Sequence, residues 1–170
     1  MADFDPVGLL SILHNHGVRF VVVGGIAARL HGAPLVTEDV DVTPDRSQRN
    51  LVALSATLVD LDARLRTVAE PEGVPFPIDP DMLASASSWA LTTTHGDLDI
   101  MFEPAGTRGY ADLAADASAI RISTDPILEV PVASLRDVIR SKEAAGRDKD
   151  RAALPLLRRT LEERDRHITP

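Results

Sequence analysis

The order of apolar and polar positions in the first 45 residues predicts a helix followed by a strand–helix–strand unit. Asp5-Pro6 is typical of a helix N-cap with proline in the first turn, and Gly17 is typical of a helix end. An apolar run then meets the glycine pair Gly24 and Gly25, and a second run follows a glycine–proline break. The pattern predicts a first strand at residues 18–23, a short helix at 25–31 and a second strand at 36–43.

Leucine spacing predicts a long helix in the next part of the chain. Thr43-Pro44-Asp45 is typical of a helix start, and leucines at steps of three and four mark its buried face: Leu51, Leu54, Leu58, Leu61 and Leu65. Prolines and a glycine make residues 70–81 a predicted loop. One or two helical turns near 80–86 and a hairpin follow, with strands at 89–94 and 98–102 around the turn His95-Gly96-Asp97.

The last third of the chain is predicted to contain two short strands and two helices. A loop and a short helix at 106–116 precede strands at 118–122 and 127–132 and a helix at 133–145 that begins with Ser134. A basic final helix follows, with Leu154, Leu157 and Leu161 facing inward. Because proline lacks a backbone N–H, Pro155 is expected to start, kink or interrupt that helix.

The second predicted strand carries two carboxylates on one face. Side chains alternate along a strand, so Asp39 and Asp41 point to the same side. Neighbouring carboxylates repel one another unless a cation lies between them, and a hard divalent ion such as Mg2+ prefers oxygen ligands. Because glycine has no Cβ, Gly24 and Gly25 can turn sharply and present backbone N–H groups to a phosphate. A metal site beside a phosphate cradle indicates phosphoryl or nucleotidyl transfer, although each feature alone is common as ordinary structure.

A third carboxylate is predicted in the later hairpin. Asp99 lies in the middle of an apolar strand, where an acidic side chain is costly unless it is paired or bound to a metal. Asp97 is the alternative, but its predicted place is the turn, where aspartate is favoured for its backbone hydrogen bonds. We therefore interpret Asp99 as the third member of the site.

Composition and charge limit the class of protein. The 170 residues suit one domain, and 44% hydrophobic and 26% charged residues are ordinary for a globular chain. The longest apolar run is too short to span a bilayer, and the absence of cysteine excludes disulfides and thiolate sites, so we expect a cytoplasmic protein with no membrane partner. The net charge of −8 argues against a protein that coats nucleic acid.

The positive charge is concentrated near the C-terminus. Residues 136–167 hold ten of the 18 basic residues, so a basic helical segment is predicted from about residue 133. This segment could contact phosphates, or it could be a solvated helix. Its Lys142 and Lys149 are the only lysines of the chain, and a compact ammonium suits a nucleotide phosphate.

These features together resemble a known family. The resemblance to the small nucleotidyltransferases of the DNA polymerase β superfamily rests on Gly24-Gly25, Ala27, His31-Gly32, Thr37, Asp39 and Asp41. The lysine-containing C-terminal part is similar to AbiEii-type nucleotidyltransferases of bacterial toxin–antitoxin systems. Two positions depart from the pattern, because Ile26 stands where serine is frequent and Leu35 where relatives often have arginine.

The resemblance implies an α/β (α+β) fold, a mixed β-sheet with helices packed against it in a single domain over residues 1–170. It also implies Mg2+ (or Mn2+) held by Asp39, Asp41 and Asp99, and a nucleoside triphosphate bound with help from Gly24, Gly25, Lys142 and Lys149. The expected activity is transfer of a nucleoside monophosphate to an acceptor hydroxyl with release of pyrophosphate.

Three functional hypotheses follow from the resemblance. The first is a toxin that modifies RNA, at a tRNA 3′ end, and is neutralised by a cognate antitoxin. The second is an antitoxin that nucleotidylates a partner toxin protein. The third is a catalytically silent binding module, which Ile26 and Leu35 keep open but the carboxylate trio argues against.

Overall fold

The computed structural model describes residues 3–168 and contains seven helices and seven strands within that range. The helices are α1 Pro6–Asn15, α2 Gly24–Leu30, α3 Gln48–Asp60, α4 Pro80–Ala84, α5 Tyr110–Ala115, α6 Leu135–Ala145 and α7 Asp148–Ile168. The strands are β1 Phe20–Val23, β2 Asp39–Pro44, β3 Arg64–Leu65, β4 Ser88–Thr93, β5 Gly96–Met101, β6 Ser118–Thr124 and β7 Ile127–Val132. In this range, no helix is both long enough and apolar enough to cross a membrane.

The strands form one mixed sheet in the order β3-β4-β5-β2-β1-β7-β6. Strand β2 runs antiparallel to β1 and parallel to β5, and β1 runs parallel to β7. All four residues of β1 are buried, as expected for a central strand covered on both faces. The predicted mixed sheet with packed helices is therefore confirmed.

Local signals account for several helix ends. The Asp5 side chain accepts a hydrogen bond from the Gly8 N–H at 2.8 Å and so caps α1. The Ser134 hydroxyl accepts one from the Asp137 N–H at 3.1 Å at the start of α6. Helix α6 ends at Gly146, whose φ of +61° suits glycine and turns the chain into α7.

The prediction for the leucine-rich helix was wrong at both ends. Asp45 accepts a hydrogen bond from the Ser47 N–H, so a turn precedes the helix and α3 begins at Gln48. Asp62 has a φ of +47°, which breaks the helical path after α3. Leu65 consequently lies in the short strand β3 opposite Leu91, and is not part of the helix face.

Two further predictions need correction. The hairpin turn is shorter than predicted, because β4 ends at Thr93 and β5 begins at Gly96, so Asp97 lies in the strand and not in the turn. Helix α7 continues through Pro155, which therefore neither starts nor interrupts it, and a kink at this residue stays a prediction. Burial of Leu154 and Leu157 on either side stabilises the helix despite the missing N–H.

Candidate active site

The pairing of β2 with β5 brings the acidic side chains together. In this parallel pair Asp41 lies opposite Asp99, and Asp39 lies opposite Asp97. One carboxylate oxygen from each of Asp39, Asp41 and Asp99 lies within 4.8 Å of the other two. All three residues are partly buried, so water screens their mutual repulsion only in part.

Burial and mutual repulsion raise the pKa of two of these carboxyls, Asp41 and Asp99. Burial, followed by the charges of Asp39 and Asp99, raises the pKa of Asp41 to about 7. Burial also raises the pKa of Asp99, with Asp39 adding to the effect and Arg66 opposing it. A site that disfavours its own negative charge is one that a cation would stabilise. Three carboxylates at this spacing fit a hard divalent ion such as Mg2+ or Mn2+.

The glycine pair makes room for one of these carboxylates. Gly24 has a φ of +62°, and a Cβ built on it would lie 2.1 Å from Asp41 Oδ2. A Cβ on Gly25 would lie 2.7 Å from Thr37 Oγ1. The Gly25 N–H donates a hydrogen bond to the Asp41 carboxylate, and the Thr37 hydroxyl donates one to Asp39 at 2.8 Å. The glycines thus position the carboxylates, and their assignment to a phosphate stays a prediction.

Facing the carboxylates is a cation cluster held by a buried aspartate. Asp150, in the first turn of α7, has 0% relative accessibility. It accepts hydrogen bonds from Lys142 Nζ at 3.1 Å and Arg147 Nε at 2.7 Å. Burial alone would raise the pKa of Asp150, but these two cations outweigh that effect and lower it. The charge of Lys142 also offsets part of the rise in the pKa of Asp41, which indicates that its ammonium faces the carboxylate trio.

A single cavity of about 990 Å³ connects these groups. The three carboxylates line this cavity together with Lys142, Arg147 and Lys149. Lys149 is exposed and forms no ion pair within residues 3–168. The volume lies at the upper end of the range for small-molecule sites, which suits a ligand as large as a nucleoside triphosphate.

Three residues of the cavity were not identified from the sequence. Arg66 contacts both Asp97, at 3.1 Å, and Asp99, at 2.7 Å. Arg147 is the second cation of the cluster, and Asp150 is the buried partner of both Lys142 and Arg147. The sequence drew attention to the segment around Lys142 through its rare lysines, but no signal singled out Arg66.

The basic C-terminal segment is less available than its charge predicts. Most of its arginines already contact acceptors of the protein itself. The pairs are Arg136–Asp165, Arg140–Asp112, Arg140–Asp137, Arg151–Asp148, Arg158–Glu143 and Arg164–His31. A large part of this positive charge is therefore already paired within the protein, which lowers the net charge that the segment presents to an external polyanion.

Comparisons with known proteins identify the fold. No protein family is matched by the sequence, and no curated protein matches it. Among solved structures, the chain is similar to a candidate nucleotidyltransferase from Thermotoga maritima, with a TM-score of 0.55 and 17% identity over 92% of this chain and 89% of that one. It is also similar to the lincosamide antibiotic adenylyltransferase LnuA in its lincomycin-bound form, with a TM-score of 0.59 and 14% identity over 92% of this chain and 98% of that one. The chain therefore has the fold seen in these nucleotidyltransferase structures.

Proposed function

We propose that the protein is a metal-dependent nucleotidyltransferase that moves a nucleoside monophosphate from a triphosphate to an acceptor hydroxyl. The observation that carries this proposal is the meeting of three carboxylates, Asp39, Asp41 and Asp99, with the Lys142–Arg147 cluster across one cavity. Carboxylates that can hold a divalent ion and cations that can hold phosphates are the two requirements of this chemistry. The similarity in fold to nucleotidyltransferases supports the same activity.

In this proposal each side chain has a defined task. Asp39, Asp41 and Asp99 would hold Mg2+ or Mn2+, which supplies charge neutralisation on the phosphate oxygens and acidifies the acceptor hydroxyl. The hydroxyl oxygen forms a bond to the α-phosphorus while the bond to the pyrophosphate oxygen breaks. Asp99 would take the hydroxyl proton, and Lys142 would neutralise the departing pyrophosphate.

Three other groups would support the nucleotide. Arg147 lines the same cavity as Lys142 and shares its partner Asp150, so the two cations are held at a fixed spacing. Lys149 is exposed on the cavity wall and could contact a phosphate without first leaving an ion pair. Gly24 and Gly25 let the backbone approach closely on the carboxylate side.

For the acceptor, we propose an RNA 3′ end, such as that of tRNA, as the sequence resemblance implies. In that case the protein is a cytoplasmic toxin with a cognate antitoxin. A small hydroxyl-bearing molecule is the second candidate acceptor. Two observations favour it: LnuA was solved with lincomycin, and the internal pairing of the C-terminal arginines reduces the positive charge available to RNA. The labelling experiment below also tests two other hypotheses, an antitoxin that nucleotidylates a partner toxin and a silent binding module.

The experiment follows label from the α-phosphate of each common nucleoside triphosphate. Purified protein with Mg2+ is offered total RNA, a protein extract and a panel of small hydroxyl compounds, with Asp39→Ala as the inactive control. We expect α-label, but not γ-label, to enter RNA, and we expect growth inhibition on expression to disappear in Asp39→Ala.

The destination of the label decides among the alternatives. Label in a single protein band favours the antitoxin hypothesis, and label in a small compound favours a drug-modifying type of enzyme. No incorporation with any acceptor, from protein that still binds the triphosphate, would contradict catalysis and favour the binding module.

A further inference from the structure

A row of four residues crosses one face of the sheet and ends at an arginine. Asp41 pairs with Asp99, and Asp99 pairs with Ala90 on the next strand. The chain beyond β3 continues this row, because the Arg66 N–H donates to the Ala90 carbonyl at 2.9 Å. Residues paired across neighbouring strands point to the same face, so Arg66 and the two aspartates share a side of the sheet.

The small side chain of Ala90 lets the guanidinium reach across its strand. Arg66 Nη2 lies 2.7 Å from Asp99 Oδ1, and Nη1 lies 3.1 Å from Asp97 Oδ2. The guanidinium therefore supplies positive charge to the same carboxylate that we assign to a divalent ion. Its side chain is 28% exposed, so water screens this contact less than it would on an open surface.

The guanidinium and a divalent ion would compete for Asp99. Both are cations, and a carboxylate oxygen that accepts a short hydrogen bond from Arg66 must lose or share that bond to coordinate an ion. Removal of the guanidinium would also remove a positive charge that repels the incoming ion. The contact between Arg66 and Asp99 therefore lowers the affinity of the site for a metal ion that arrives without a nucleotide.

Once displaced, Arg66 would carry unpaired donors into the cavity. Its Nε is buried and has no hydrogen-bond partner even with both aspartates in contact. Loss of the Asp99 contact would free Nη2 as well, while Asp97 still holds Nη1. Arg66 lines the same cavity as Lys142 and Arg147, so the freed Nη2 would donate into the space assigned to the triphosphate.

We propose that Arg66 is a positioning residue with two successive partners, and this inference rests on the proposed function. In the metal-free protein it is the counter-cation that holds Asp99. When a divalent ion takes Asp99, the guanidinium moves to an anionic oxygen of the triphosphate. The residue thus weakens binding of the metal alone and strengthens binding of the metal–nucleotide pair.

The test measures two affinities in one set of variants. Mn2+ binding alone is followed by electron paramagnetic resonance, and binding of a non-hydrolysable ATP analogue with Mn2+ is followed by calorimetry. Arg66→Ala should tighten Mn2+ binding by about tenfold and weaken analogue binding by about tenfold. Arg66→Lys keeps the charge and should change both affinities less.

Arg64→Ala is the matched control. Arg64 lies two residues earlier on the same face, in the row that crosses Thr92 and Asp97, and its Nε donates to the Gly73 carbonyl. Arg64→Ala should leave the affinities for Mn2+ and for the ATP analogue within about twofold of wild type, provided that circular dichroism shows the variants folded.

The sign of the two effects decides the inference. If Arg66→Ala weakens both affinities, the residue is only structural, and if it tightens both, the guanidinium does not bind the nucleotide; either result overturns the proposal. If Arg66→Ala unfolds the chain, the same comparison is made with Arg66→Lys, whose opposite shifts would still be required. A wild-type protein that binds no Mn2+ would refute the metal site itself, which is a different result.

Discussion

Replacing Asp41 with asparagine should stabilise the metal-free protein while removing its response to metal. A carboxylate oxygen of Asp41 lies within 4.8 Å of one from Asp39 and one from Asp99, and the residue is partly buried. Asparagine has nearly the same shape and can still accept the hydrogen bond from the Gly25 N–H, but it carries no charge. The substitution therefore relieves repulsion without opening a cavity.

The magnitude follows from the pKa of Asp41, which rises from its ordinary value of 3.8 to about 7. At about 1.4 kcal/mol per pH unit, this difference corresponds to roughly 4 kcal/mol at most, and relaxation of the site reduces it. Because the folded state binds this proton more tightly, the free energy of unfolding falls as the pH rises from about 4 to about 7 and levels off above that. We expect Asp41→Asn to be more stable than wild type by about 1–3 kcal/mol at pH 8, and by much less at pH 5.

Urea denaturation with a chelator, repeated from pH 5 to pH 8.5, measures this difference directly. Asp39, Asp99, Lys142 and Arg147 surround Asp41 in both proteins, so the comparison isolates the change at Asp41 itself. Mg2+ at about a hundred times its dissociation constant should then stabilise wild type by about 2.7 kcal/mol and leave the variant unchanged. The exposed Asp81→Asn, on α4, is the control for loss of a carboxylate elsewhere.

A variant that is less stable than wild type at pH 8 in the chelator would contradict destabilising repulsion at Asp41. So would a stability difference that stays constant from pH 5 to pH 8, because repulsion among ionised carboxylates must grow as they ionise. Equal stabilisation of both proteins by Mg2+ would place the ion elsewhere.

Three further predictions concern the glycine turn and the cation cluster. Gly24→Ala should destabilise the protein by about 2 kcal/mol or more in urea denaturation, because its Cβ would meet the Asp41 carboxylate oxygen at 2.1 Å. Gly17 also has a positive φ, but a Cβ there would meet nothing within 4 Å, so Gly17→Ala should cost only about 1 kcal/mol. Asp150→Asn should lower the free energy of unfolding by about 3 kcal/mol, since it leaves Lys142 and Arg147 without their buried anionic partner. A loss below about 1 kcal/mol would show that Asp150 does not hold the two cations. Lys142→Ala should reduce turnover at least about tenfold at every salt concentration, and Lys142→Arg should recover only part of it. The exposed Arg159→Ala is the control and should show only small, salt-sensitive effects on turnover. Wild-type turnover in Lys142→Ala would remove that residue from the site.

The central strands could be predicted because local patterns determine them. Alternation along β2 indicates that Asp39 and Asp41 share a face without knowledge of the neighbouring strand. The cost of an acidic residue in an apolar strand indicates that Asp99 needs a partner. Local patterns do not determine the strand register that places Asp99 opposite Asp41, because this register depends on contacts between residues far apart in the sequence.

Ion pairing over long sequence distances could not be predicted in the same way. Arg66 follows a strand of only two residues, too short for a periodic pattern, and its partner Asp99 lies 33 residues away. Asp150 is fully buried although hydrophobic periodicity assigns aspartate to the surface, because Lys142 and Arg147 neutralise it there. Net charge also misrepresented the C-terminal segment, since a count of residues does not show which arginines are already paired.

Calorimetric titration of a non-hydrolysable nucleoside triphosphate into wild type and Asp41→Asn shows whether the three carboxylates hold a divalent ion that binds the nucleotide together with the cation cluster. Wild type should bind the analogue with Mg2+ and lose this binding in chelator, and folded Asp41→Asn should bind at least about a hundredfold more weakly. Equal binding by the two proteins, or wild-type binding that does not depend on Mg2+, would contradict the account.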